Sequence, residues 1–156
     1  MKRILILLAV LLFFASCDRK CCTNYSVDVT LKYQNSNGED LLDPRTSNAL
    51  KAEDIDVYAV RNGVRVRLYN GMMDAPKNFK IYGSSTEKYF MKFYFDIQQE
   101  SFTNKKVTMF ITYKDGSEDK LVGEFNDDDG SNIILQNVWL NGVEKGRLNG
   151  PIIIKK

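Results

Sequence analysis

The strongest constraint on this chain is an alternation of apolar and polar residues with period two, which starts at residue 25 and recurs almost to the end. Tyr25, Val27, Val29, Leu31 and Tyr33 alternate with Ser26, Asp28, Thr30 and Lys32. Successive side chains of a strand point to opposite faces, so this spacing sends one face into a core and the other into water. Asn35-Ser36-Asn37-Gly38 ends the run. The following residues, 38–44, read as an irregular connection, because Pro44 has no N–H for a ladder and biases Asp43 away from helix.

A strand over 55–61 meets another over 64–69 through Asn62-Gly63, the strongest short hairpin signal. With those two residues as the turn, Ala59 faces Val66 and Val57 faces Leu68, while Tyr58 faces Arg67 and Val60 faces Arg65. Apolar residues then meet on one face only, so turn chemistry and side-chain parity agree. Asp115-Gly116 behaves differently: a two-residue loop would set Ile111 against Lys120 and Met109 against Val122. A three- or five-residue loop or a bulge, which shifts parity by one, is expected there. Further strands are expected at 79–82, 88–97, 106–113, 120–125, 133–140 and 151–155, with 143–147 extending a hairpin at Asn141-Gly142. Asp54 or Asp74 could head a helical turn at most. The pattern predicts an all-β domain, an antiparallel β-sandwich of about 7–9 strands of immunoglobulin- or transthyretin-like kind, with a small β-barrel as the alternative.

Ahead of this domain, Lys2 and Arg3 precede an unbroken apolar run of 12 residues, 4–15, and a small pair, Ala15-Ser16. That is the pattern of a secretory signal. As a helix the run would reach only ~18 Å, against ~30 Å of hydrocarbon core, so it is too short for a permanent anchor. Phe14-Ala15-Ser16-Cys17 resembles the lipobox of bacterial lipoproteins, which implies a diacylglyceryl group on the Cys17 thiol and acylation of the new amine. On this reading residues 1–16 are a lipoprotein signal peptide, 17–23 a lipidated tether, and 24–156 one β-sandwich domain. Two or more acyl chains hold a protein stably on a membrane.

The precursor has 22 Lys and Arg against 20 Asp and Glu. Loss of Lys2 and Arg3 leaves the mature chain balanced, without the concentrated basic excess of a nucleic-acid binder. Cys17, Cys21 and Cys22 are the only cysteines, and all fall in the tether. Neighbouring Cα atoms ~3.8 Å apart are too close for an ordinary disulfide, so Cys21 and Cys22 are read as tether residues, with pairing to another chain or thiol chemistry as the other reading.

The chain has no histidine, which removes the commonest general base and the commonest metal ligand. Asp127-Asp128-Asp129-Gly130-Ser131-Asn132 superficially suggests a calcium loop. Aligning Gly130 with the glycine of an EF-hand, however, puts Phe125 on the first ligand position. A solvated turn is expected instead, and neither metal nor cofactor. Paired carboxylates could hydrolyse a glycosidic bond, but Asp and Glu are spread through turns and polar strand faces.

Aromatic residues are more suggestive. Within 88–97, Tyr89, Met91, Phe93 and Phe95 fall on one face, and Phe90 and Tyr94 on the other beside Lys88, Lys92 and Asp96. The simpler account is a central strand covered on both sides. The functional account is an open aromatic-and-lysine stripe able to stack on a sugar or peptide. Phe90, Lys92 and Tyr94 are therefore candidate ligand-binding residues, joined by Trp139, the only tryptophan, whose parity does not decide between core edge and platform.

The short lipoprotein signal, the Gly38-Glu39-Asp40-Leu41-Leu42-Asp43-Pro44 segment and the Trp139-Leu140-Asn141-Gly142 hairpin together resemble the small envelope lipoproteins of Bacteroidetes-type bacteria. Such proteins are similar to immunoglobulin- or transthyretin-like sandwiches, and the resemblance implies no reaction or ligand. After Cys17 come Asp18, Arg19 and Lys20 rather than an acid-rich surface-export run, which favours an outer-membrane position facing the periplasm. The function expected is a non-catalytic binding or structural module with a protein or glycan ligand. The alternatives are an adhesin-like subunit, which an unpaired terminal strand would mark, and a small hydrolase or inhibitor, which a cleft with converging carboxylates would mark.

Overall fold

The computed structural model describes residues 24–84, 86–126, 132–146 and 150–156. Residues 1–16 and 17–23, read above as signal and tether and including Cys17, and residues 127–131 of the acidic run lie outside the described residues.

The described chain is a β-sandwich of two sheets. The larger is built from β1 (Asn24–Ser26), β3 (Ile55–Arg61), β4 (Val64–Arg67), β7 (Phe102–Thr103), β8 (Lys106–Tyr113), β9 (Glu118–Phe125), β10 (Asn132–Leu140) and β11 (Val143–Gly146). Its order is β1-β10-β9-β8-β3-β4, with β11 also on β10 and β7 also on β8. The smaller holds β2 (Asp28–Gln34), β5 (Phe79–Tyr82), β6 (Phe90–Tyr94) and β12 (Ile152–Lys155), in the order β12-β2-β6-β5. The sheets stay separate rather than closing into a barrel. Helix among the described residues is confined to single 3-10 turns, Ala52–Asp54 and Gln99–Ser101, and Asp54 ends the first rather than heading it.

Alternation fills the space between the sheets. Val29, Leu31 and Tyr33 of β2 and Met91 and Phe93 of β6 meet Val57, Ala59, Val107, Met109, Ile111 and Leu121 of the larger sheet in one buried cluster. Aromatic rings knit the layers: Phe95 meets Phe125 edge-on at 5.7 Å, and Tyr33 meets Tyr113 at 6.0 Å. Gly123 in mid-β9 makes room for this packing, since a Cβ there would stand 2.8 Å from a Phe95 ring carbon.

Both turn expectations hold in detail. Ala59 pairs with Val66 and Tyr58 with Arg67. Asn62 and Gly63 have φ of 49° and 78°, the left-handed pair a type I′ turn requires. Ile111 pairs with Asp119 and Met109 with Leu121, leaving a three-residue loop, 114–116, that ends on Gly116 at φ 81°. That is the parity shift expected there.

Three features differ from the sequence pattern. The run from Tyr25 to Tyr33 is not one strand: it breaks at Val27, whose carbonyl accepts from Phe95 N, and crosses from the larger sheet to the smaller. Tyr25 is 49% exposed as a result, on an edge strand instead of over the core. The sheets are mixed and not purely antiparallel, because β1 runs parallel to β10 and β12 parallel to β2. Parallel neighbours are not joined by tight turns, so no local signal announces them. Finally, β6 ends at Tyr94: Phe95 turns into the core, and the Asp96 carboxylate accepts from Arg61 Nε at 2.8 Å and from Ser101 Oγ at 2.6 Å.

Candidate functional site

β6 is a central strand, paired with β2 on one side and β5 on the other. Its odd face is buried as expected. Its even face is only half-buried, because Phe90, Lys92 and Tyr94 lie on the outer side of the smaller sheet. The account in which both faces are covered therefore does not describe this strand.

The ladder brings further residues to the same side. Tyr82 pairs with Phe90, and their rings stack at 5.5 Å and 18°. Lys80 pairs directly with Lys92, and its Nζ lies 5.5 Å from the Tyr82 ring centre. Lys92 Nζ lies 5.9 Å from the Tyr94 ring and 3.3 Å from the Asp28 carboxylate. Thr30 stands opposite Lys92, and Lys32 opposite Ile153, which is 49% exposed. Burial, then the neighbouring Tyr82 hydroxyl, pushes Tyr94 up to about 12. Its hydroxyl thus stays protonated and able to donate at neutral pH.

Trp139 is elsewhere. It lies half-buried on the outer side of the larger sheet, opposite Val122 and Glu144, with Lys106 Nζ 4.6 Å from its ring. Three cations on that side are paired, Arg67 with Asp56 at 2.8 Å, Lys106 with Glu124 at 3.5 Å and Arg65 with Glu118, while Lys120 of β9 is exposed without an acid in ion-pair range among the described residues. The Arg65 guanidinium also lies 4.4 Å from both the Tyr58 and Phe110 rings. The fold thus unites Phe90, Lys92 and Tyr94 and separates them from Trp139. Sequence reasoning missed Lys80, Tyr82, Lys32 and Ile153. Parity within each strand marks them as outward-facing, but which strands are neighbours is not written locally.

Tyr94 also borders a cleft of about 790 Å³ at one end of the sandwich, walled by Val27, Asn78, Asp96 and the loop that bears Tyr69, Met72 and Met73. Met72 is 96% exposed, which gives the cleft an apolar rim. Of the carboxylates on its wall, Asp96 is already held by Arg61 and Ser101. No cluster of three or more metal-ligating side chains occurs among the described residues.

At the other end of β2 a second cleft, about 590 Å³, is lined by Asn35, Leu50, Tyr113 and Lys156. Beneath it runs a buried polar chain. The Tyr33 and Tyr113 hydroxyls lie 3.0 Å apart in hydrogen-bond contact, and Tyr113 donates to Asp119 at 2.8 Å. The same carboxylate takes Lys156 Nζ and Asn141 Nδ2, each at 2.7 Å. This chain ties β2, β8 and β9 to the residues that follow β10 and β12.

Family models do not match the chain, and comparison with curated proteins and with solved structures returns no match.

Proposed function

We propose that the chain is an envelope lipoprotein, held by lipid on Cys17 at the outer membrane and facing the periplasm, whose β-sandwich is a non-catalytic binding module. Its ligand surface is the outer face of the smaller sheet. The observation that carries this reading is the contrast between the two outer faces. On the larger sheet, Arg67, Arg65 and Lys106 are each matched to an acid. On the smaller sheet, half-buried aromatic rings accompany lysines for which Asp28 is the only acid within the four strands. Half-exposed rings with polar tips beside unbalanced charge are the composition of recognition surfaces rather than of inert ones.

Binding of the detergent-purified full chain to a panel of neutral and acidic glycans and of peptides tests the reading. At least one class is expected to bind, to weaken about tenfold or more in Phe90→Ser/Tyr94→Ser, and to be unchanged in Trp139→Ala. Binding that follows Trp139 and ignores Phe90 and Tyr94 would refute it.

Anchoring is tested separately, by mass spectrometry of the mature N-terminus. The expected species begins at Cys17 and carries the added mass of acyl chains. An unmodified chain beginning at any other residue contradicts the lipoprotein reading. The absence of cysteine and histidine from residues 24–156 makes a further expectation. Thermal melts with calcium, with chelator and with reductant should superimpose, and a shift of several degrees with calcium would instead revive the acidic turn as a metal loop.

A further inference from the structure

Each strand of the smaller sheet contributes one outward lysine, and the register sets the four in a row. Lys80 of β5 is level with Lys92 of β6, which is level with Thr30 of β2. Lys32 stands two residues further along β2, level with Ile153 of β12, and Lys155 two residues beyond that, level with Gln34. With strands ~4.8 Å apart and ~3.3 Å per residue, the row crosses the sheet diagonally over about 20 Å. Its first two members are like charges directly opposite one another, an arrangement that disfavours the sheet unless an anion lies between them. Asp28 compensates Lys92 alone. Tyr82 and Phe90 flank the row on one side, and Tyr94 on the other.

The geometry points to a linear acidic polysaccharide, a polymer bearing uronate carboxylates, as the ligand of this face. The inference rests on the reading that this face is the ligand surface. Lysine is a point charge suited to single carboxylates, and the forked guanidinium that favours bidentate phosphate recognition is absent from these four strands. Lysine Cβ atoms in such a row are roughly 5–8 Å apart. Flanking rings offer flat apolar surface to the C–H faces of sugar rings, while the Tyr82, Tyr94 and Thr30 hydroxyls offer partners to sugar hydroxyls.

The test is equilibrium binding of the detergent-purified full chain to polygalacturonate, to dextran as the neutral polymer, and to oligothymidylate. Polygalacturonate is expected to bind best, more weakly as salt rises. Lys80→Glu/Lys92→Glu should lower its affinity about tenfold or more, Lys80→Gln/Lys92→Gln by less, and Trp139→Ala should leave it unchanged. Circular dichroism melts of the same variants verify the fold. Tighter binding of oligothymidylate overturns the proposal in favour of a nucleic acid. Equal binding of dextran, lost in Phe90→Ser/Tyr94→Ser, overturns the requirement for acid while leaving the ligand face standing. Polygalacturonate binding that ignores the lysine changes, or no binding of any probe, overturns the proposal outright, and the wider panel then decides the fate of the face itself.

Discussion

Phe93→Ser is expected to cost the domain on the order of 4 kcal/mol or more, a large part of the ~5–15 kcal/mol that a domain of this size commands. Phe93 is fully buried in the middle of β6 and meets Phe95 edge-on at 5.7 Å. Its removal leaves a cavity between the sheets and buries a hydroxyl without a designed partner. Phe90→Ser and Tyr94→Ser, three residues before Phe93 and one after it on the outer face of the same strand, should each cost only about 1 kcal/mol. Phe90 loses its stack on Tyr82, while Tyr94 loses the nearby Lys92 ammonium, and neither opens the core. Urea melts of the three variants measure the difference. Losses at Phe90 or Tyr94 as large as at Phe93 would mean that the outer face is structural and would end the ligand-surface reading.

Asp119→Ala should have the next largest effect, on the order of 3 kcal/mol, because it strands the Tyr113 hydroxyl, Asn141 and Lys156 around a buried site. Glu124→Gln, which breaks an exposed pair with Lys106, should cost at most about 0.5 kcal/mol. The Asp119 carboxylate also makes stability depend on pH. Burial raises the Asp119 pKa, but the donors Lys156, Asn141 and Tyr113 together outweigh burial and hold it below the ordinary 3.8. A carboxyl whose folded pKa is depressed contributes stability that is complete above its unfolded value, ~3.9, and lost as pH falls through the folded value. Wild type should therefore lose stability below about pH 4 more steeply than Asp119→Asn. Parallel acid melts of the two would contradict this. Tyr33 and Tyr113 run the other way: burial raises both pKa values, so their contribution is present at neutral pH and declines only in strong alkali.

What was legible in the sequence is what neighbours along the chain decide. Asn62-Gly63 could be placed because a left-handed dipeptide and the parity of its flanks demand one register. The 114–116 loop could be placed because a shorter loop would have opposed Ile111 to a lysine. The crossing at Val27, the parallel partners of β1 and β12, and the short β7 hairpin were not legible. The first two depend on segments more than one hundred residues apart. The third turns through Asn104 and Lys105, at φ of 51° and 63°, without a glycine to signal it. The same limit applied to the site. Phe90, Lys92 and Tyr94 stood out because they lie on one strand, whereas Lys80, Tyr82, Lys32 and Lys155 join them only through the order β12-β2-β6-β5. Trp139 attracted notice by its rarity alone, and the ladder puts it on the opposite outer face.

A backbone and methyl NMR titration with polygalacturonate reads directly whether the outer face of the smaller sheet is where this protein meets its ligand. Shifts are expected at Thr30, Lys32, Lys80, Tyr82, Phe90, Lys92, Tyr94, Ile153 and Lys155, with the larger sheet silent. Shifts that instead gather around Trp139, Val122 and Lys106 would contradict it.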